Sequence, residues 1–300
     1  MSLQSRYISA NGIEFHYLEQ GEGAPVLMLH GFPDHAAAWR PLADRLALSF
    51  RVIAPDLRGY GQTSRPLAVA DYRLDLLIDD IFALLDALGL AQVHLCGHDW
   101  GGVLAFAFAD KHPGRVASLT ALNAPPIAVL QDMIWTDPVQ RAASQYITTL
   151  RSDDADAIFD EANVEKLVDR FLSKPRRRGL LNDEDMAAYR RAWTQPAVWQ
   201  AMLAWYRAAP LDVPAITAHF TGWPAMQGTM NISPVLLIWG DKDTVFVPAL
   251  ADAIALACRN CRVERLSSAG HVPHRDEPDR CAALISGFLS DHPFQLATEE

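Results

Sequence analysis

Long apolar runs are missing from this sequence. None approaches the about 20 residues needed to cross a bilayer, and the opening residues Met1-Ser2-Leu3-Gln4-Ser5-Arg6-Tyr7 lack the apolar stretch of a secretory signal. The expectation is a cytoplasmic protein with no membrane partner. Basic residues are also short: 26 Lys and Arg stand against 36 Asp and Glu, a net charge of −10. That balance argues against nucleic acid or an anionic surface as a partner. Cysteine is scarce, with only Cys96, Cys258, Cys261 and Cys281. Cys258-Arg259-Asn260-Cys261 has C-x-x-C spacing, but it follows a helix-like run and precedes a strand, the reverse of a redox motif. No second such pair completes a zinc site. What remains is a chain of 300 residues, half of them hydrophobic, enough for one large α/β domain or for a core carrying an insertion.

The periodicities favour the second arrangement. Residues 13–17 alternate, 25–29 form an apolar run, 39–47 have helical spacing, and 50–54 form a second short apolar strand. Residues 74–88 repeat apolar positions at three and four, with Asp75, Asp79, Asp80 and Asp86 opposite, as in an amphipathic helix that Gly89 ends. A strand at 93–96, a helix at 101–111 and a strand at 116–122 follow. Strand–helix alternation of this kind predicts a mostly parallel sheet covered on both faces. It stops near Pro125, and only helical spacing is found up to Gly228. It then resumes with a strand at 235–239, a helix at 249–257, a strand at 261–266 and a helix at 281–289. The reading is an α/β core of residues 1–124 and 229–300, with 125–228 inserted as a helical cap. The basic run Lys174-Pro175-Arg176-Arg177-Arg178 reads as a solvated loop.

Leu95-Cys96-Gly97-His98-Asp99-Trp100-Gly101-Gly102 is the most informative segment. A strand enters a small-x-nucleophile-x-small turn and leaves as a helix, the strained elbow that lifts a nucleophile above a sheet. Esterases and lipases place serine at its centre; here the residue is Asp99. A carboxylate is ionised at neutral pH and needs no base to attack. It suits an sp³ carbon bearing a leaving group, giving an alkyl ester that a second step must break. The positive end of the following helix helps keep Asp99 anionic.

Two later segments supply that second step. Val235-Leu236-Leu237-Ile238-Trp239-Gly240-Asp241-Lys242-Asp243 is a strand ending in a polar loop, and Ser268-Ala269-Gly270-His271 follows the next strand. His271 is the candidate base that activates water against the ester, and Asp243 the acid that orients it. His274 is a weaker alternative. The spacing His271-x-x-His274 could bind metal, but no carboxylate–histidine cluster lies near it in sequence, so no metal and no other cofactor is expected. His30-Gly31-Phe32-Pro33 follows an early strand, and backbone N–H groups of Phe32 and Trp100 are the candidate oxyanion hole.

Together these residues resemble the α/β-hydrolase superfamily over essentially the whole chain, and within it the epoxide hydrolases. Gly97-His98-Asp99-Trp100-Gly101-Gly102 is similar to that branch's elbow, and His30-Gly31-Phe32-Pro33, Asp56-Leu57-Arg58-Gly59-Tyr60-Gly61 and Gly270-His271 match in order. Haloalkane and haloacetate dehalogenases share the aspartate elbow. The haloacetate enzymes place arginines just after the nucleophile, where this chain has Trp100 and Val103; the haloalkane enzymes often have asparagine where this chain has Phe32. The resemblance implies two cap tyrosines as acids toward the epoxide oxygen. Ala204-Trp205-Tyr206-Arg207 matches one site and identifies Tyr206; the other is Tyr146 or, one turn later, Thr149. Phe32 and Trp100 are also expected to touch the substrate. Asn123 stands where some relatives carry the catalytic acid, which leaves that role to Asp243.

The resemblance thus implies conversion of a small apolar epoxide and water to a vicinal diol. A dehalogenase with the same nucleophile is the alternative, and a non-catalytic ligand-binding protein on the same fold the second. Trp135, Trp193, Trp199 and Trp223 point to an apolar pocket in the cap.

Overall fold

Successive side chains of a strand point to opposite faces, and the apolar strands of this chain feed two separate cores. In a computed structural model of the protein, which describes residues 3–218, 230 and 234–294, the strands are β1 (Gln4–Ala10), β2 (Ile13–Gln20), β3 (Ala24–Leu29), β4 (Phe50–Pro55), β5 (Val93–His98), β6 (Val116–Leu122), β7 (Val235–Gly240) and β8 (Cys261–Leu266). They form a sheet in the order β1-β2-β4-β3-β5-β6-β7-β8. β1 and β2 pair antiparallel, as do β2 and β4; every later pairing is parallel. β1, which the alternation did not mark out, is a largely exposed edge strand.

Helices α1 (Arg40–Leu46), α2 (Leu74–Ala87) and α3 (Trp100–Lys111) connect the strands of the first half. The segment after β6 contributes α4 (Ile127–Thr136), α5 (Pro138–Ala143), α6 (Tyr146–Arg151), α7 (Asp154–Ile158), α8 (Val164–Arg177), α9 (Asp183–Trp193) and α10 (Val198–Ala208). The second half adds α11 (Pro248–Ala257), α12 (Pro273–Asp276) and α13 (Pro278–Asp291). Val26 and Met28 of β3 pack into one core with Leu42 of α1 and Ile285 of α13. Leu27 and Leu29 pack into the other with Ile81 of α2, Leu104 of α3 and Ile254 of α11. The inserted helices extend this second core, through Trp199, Met202 and Trp205 of α10.

Every regular element described between residues 125 and 218 is helical, and the boundary expected at 228 lies outside the described residues. The basic run is not a loop: Lys174, Arg176 and Arg177 form the last turn of α8, with Pro175 inside the helix. Cations there oppose the negative end of the helix dipole, which favours helix over an open loop. α9 starts with a reciprocal cap, the Asn182 and Asp185 side chains each accepting the other's backbone N–H.

Candidate active site

Between β5 and α3 the backbone of Asp99 takes φ 51°, ψ −124°, outside the regions L-residues prefer. The turn closes because its flanks are small. A Cβ on Gly97 would stand 2.5 Å from the Gly101 carbonyl oxygen, and one on Gly31 2.3 Å from Asp99 Cβ. The 30–33 loop can therefore lie directly against Asp99. The buried Asp99 carboxylate accepts the Phe32 N–H on Oδ1 at 2.8 Å. Its Oδ2 faces His271 Nε2 at 3.5 Å. The Trp100 N–H makes no hydrogen bond to this carboxylate.

On its other side His271 Nδ1 lies 2.8 Å from Asp243 Oδ2. Asp243 is held by three further donors: Asn123 Nδ2 at 2.7 Å on Oδ2, and the N–H groups of Val245 at 2.6 Å and Phe246 at 3.2 Å on Oδ1. Gln140 of α5 then bonds Val245 O and Val247 N–H, tying this loop to the inserted helices. His274, the alternative base, is buried against Trp39, their rings stacked at 4.3 Å.

The charges support one another. Burial alone would raise the Asp99 carboxyl, but the hydrogen bond and charge of His271 outweigh it and hold Asp99 below the ordinary carboxylate value. The same holds for Asp243, where His271 again offsets burial. His271 itself is pushed up to about 10: burial works against its charge, and Asp243 and then Asp99 overcome it. With both carboxylates ionised, the imidazole carries a proton at neutral pH.

A cavity of about 360 Å³ opens in front of Asp99 and His271, walled by Phe32, Leu150, Phe159 and Phe171. Tyr206 of α10 and Tyr146 at the start of α6 both border it, their rings 6.0 Å apart. The Tyr206 ring packs edge-on to Phe32 at 5.2 Å and Trp100 at 5.3 Å. Burial, reinforced by Tyr146 and Asp99, holds the Tyr206 phenol well above its usual value. Tyr146 is raised likewise by burial and Asp99, with the Tyr206 hydroxyl acting against it. Both phenols therefore keep their protons. Thr149 borders the same cavity, but only Tyr146 also reaches a small apolar recess of about 20 Å³ beside Asp99, Trp100 and Phe246.

The α/β hydrolase fold profile matches residues 24–278. The chain is 32% identical to human epoxide hydrolase 4 over 95% of its own length and 78% of that protein's. It is 30% identical to the AB hydrolase superfamily protein YfhM of Bacillus subtilis, over 96% and 99% of the two chains. The crystal structure of the Bacillus megaterium epoxide hydrolase in complex with an inhibitor superposes with a TM-score of 0.86 at 30% identity, covering 95% of this chain and 100% of that one. The chain belongs to the α/β-hydrolase family, in its epoxide hydrolase branch.

In this hydrolase the apolar pocket foreseen from cap tryptophans has phenylalanine walls. Trp193 and Trp199 are fully buried behind them, Trp199 beside Phe159 and Phe171 at 5.6 and 6.5 Å. Trp135 is only partly buried and does not border the cavity; Trp223 lies outside the described residues. Leu150, Phe159 and Phe171 carry no motif, so their place was not legible without the fold. Asn123, read from the sequence only as unable to be the acid, donates to Asp243. Cys258 and Cys261 are pushed by burial up to about 12 and about 11, the opposite of what a redox thiolate requires.

Proposed function

We propose that this chain hydrolyses an epoxide through a covalent ester on Asp99, beneath a cap formed by the insertion at 125–228. The observation that carries the reading is the pair of un-ionised phenols, Tyr146 and Tyr206, sharing one apolar cavity with an ionised carboxylate and a histidine. An alkoxide leaves poorly, so ring opening needs O–H donors on its oxygen. A halide needs none.

Asp99 Oδ2 attacks a ring carbon while Tyr206 and Tyr146 hydrogen-bond the epoxide oxygen. The carbon–oxygen bond breaks, the alkoxide takes a proton from a tyrosine, and the proton that His271 gives up once Asp99 is esterified makes good that loss and leaves the imidazole neutral. His271, oriented by Asp243, then removes a proton from water as that water attacks the ester carbonyl carbon. Negative charge builds on Oδ1, which already receives the Phe32 N–H. The Trp100 N–H joins as the carbon becomes tetrahedral, since such donors serve the transition state rather than the ground state. Collapse passes the remaining water proton to the departing oxygen, releases the diol, and restores ionised Asp99, with one oxygen from water, beside protonated His271. No step draws on a metal or organic cofactor. The walls favour a small apolar substrate.

Two parallel assays test this, each with Asp99→Asn as control. One follows diol formation from terminal, aryl and internal epoxides; the other follows halide release from bromoalkanes and haloacetates. Diol without halide is expected. Halide without diol would make the tyrosines structural and the protein a dehalogenase, and neither product from any substrate would favour a binding protein.

A further inference from the structure

Behind the His271 loop, three buried groups that take no part in the proposed chemistry face one another. Asp34 follows the 30–33 loop, His98 precedes the nucleophile, and His274 sits on α12. One ligand atom from each lies within 4.8 Å of the others, and the three residues are 4%, 1% and 1% exposed. His271-x-x-His274 spacing gave no reason to expect metal, because no carboxylate–histidine cluster adjoins it in sequence. The fold supplies the missing members from distant segments and pairs them with His274 instead of His271.

The hydrogen bonds leave ring nitrogens of both histidines in this cluster without partners. His98 Nε2 lies 2.8 Å from the His271 carbonyl oxygen, which can only accept. The proton of His98 is therefore on Nε2, and Nδ1 carries a lone pair. That Nδ1 is buried and has no partner, and neither does His274 Nδ1. On Asp34, the Tyr189 hydroxyl and the Arg275 guanidinium both donate to Oδ1, at 2.5 and 2.9 Å. No hydrogen bond reaches Oδ2 from the described residues. Buried polar atoms without partners are costly, and two ring nitrogens of this cluster are left so.

We propose that Asp34, His98 and His274 form a site for a divalent transition-metal ion such as zinc or cobalt. Two imidazole nitrogens and one carboxylate oxygen are the donor types these ions prefer, and three protein ligands leave a further position open. Calcium and magnesium, which take oxygen donors, do not fit the set. Bonds of about 2.1 Å set tetrahedral ligands roughly 3.4 Å apart, so the side chains must draw inward on binding. Arg275 opposes a dication, but its charge is already engaged by Asp34 and faces Asp276. Asp34 and Arg275 also border the cavity in front of Asp99, which gives an ion a way in.

The test uses tag-free enzyme stripped by a chelator and titrated with cobalt. One equivalent should bind with visible d–d absorption, zinc should displace it, and the metal should raise the melting temperature. Binding should be lost in His274→Gln and weakened at least tenfold in Asp34→Asn, an isosteric change that keeps both Oδ1 partners should the first variant fold poorly. Absence of cobalt absorption in the wild type would overturn the proposal, as would binding unchanged in either folded variant. The readout is independent of epoxide turnover, so its failure and that of the proposed reaction are separable.

Discussion

Alkylating Asp99 should change the proton affinity of His271, and the size of the change follows from one distance. His271 Nε2 and Asp99 Oδ2 are 3.5 Å apart, and the pair contributes to a histidine held at about 10. At an effective dielectric constant of about 20, a unit charge at that distance is worth about 5 kcal/mol, or roughly 3.5 pH units. An ester on Asp99 carries no charge. Its formation removes that contribution and leaves Asp243 as the remaining anion beside the ring, so the imidazole returns toward the ordinary histidine range. Asp99→Asn reproduces the neutral state without a substrate. Carbon-13 labelling of the histidine rings and an NMR pH titration would follow His271 directly. In the wild type its signal should move only near pH 10; in Asp99→Asn it should move roughly 3.5 pH units lower. A midpoint within one pH unit of the wild type would refute the reasoning, because Asp99 would then have no hold on the proton.

Three further outcomes follow from the same geometry. Tyr206→Phe should slow ester formation by about 100-fold, in line with the loss of one acid, with Tyr146→Phe smaller; stopped-flow tryptophan fluorescence in a single turnover measures both, and unchanged rates would remove the phenols from the mechanism. His271→Gln should form the ester and stall, so intact mass spectrometry should find protein heavier by one substrate, and no adduct with an epoxide that the wild type consumes would count against a covalent path. Asp34 and Asp56 are both held well below the ordinary carboxylate value, Asp34 against burial by Arg275 and Asp56 against burial by His16. Their stabilisation is complete above the unfolded value near pH 4 and is lost on acidification below it. Urea unfolding between pH 5 and 2 should therefore show a shallower loss of stability in Asp34→Asn than in the wild type.

The parts of this molecule legible in its sequence are those that local chemistry dictates. The elbow at Gly97–Asp99–Gly101 is written in residue size, since any side chain on the flanking glycines would strike backbone within 3 Å. The parallel strands are written in uninterrupted apolar runs, which only a sheet covered on both faces tolerates. What was not legible depends on contacts between segments far apart in the chain. Lys174 to Arg178 read as a solvated loop, yet Lys174, Arg176 and Arg177 close α8 as its final turn. The cavity walls are phenylalanines rather than the cap tryptophans because the larger rings fill the core behind them. Asn123 and Asp243 are 120 residues apart, and their hydrogen bond leaves no local mark.

The buried charges also explain why the proposed steps occur in order. In the resting site His271 is a cation between two anions, Asp99 and Asp243. It cannot act as a base there, and by neutralising half of that negative charge it keeps Asp99 ionised despite burial. Forming the ester removes one anion, and the proton on His271 loses its justification at the moment a base is required. Had the nucleophile been serine, no charge would disappear on attack, and the histidine would need to be neutral from the start. A carboxylate nucleophile thus sets the timing of its own release: the same 3.5 Å contact that holds the base in reserve is cancelled by the first chemical step.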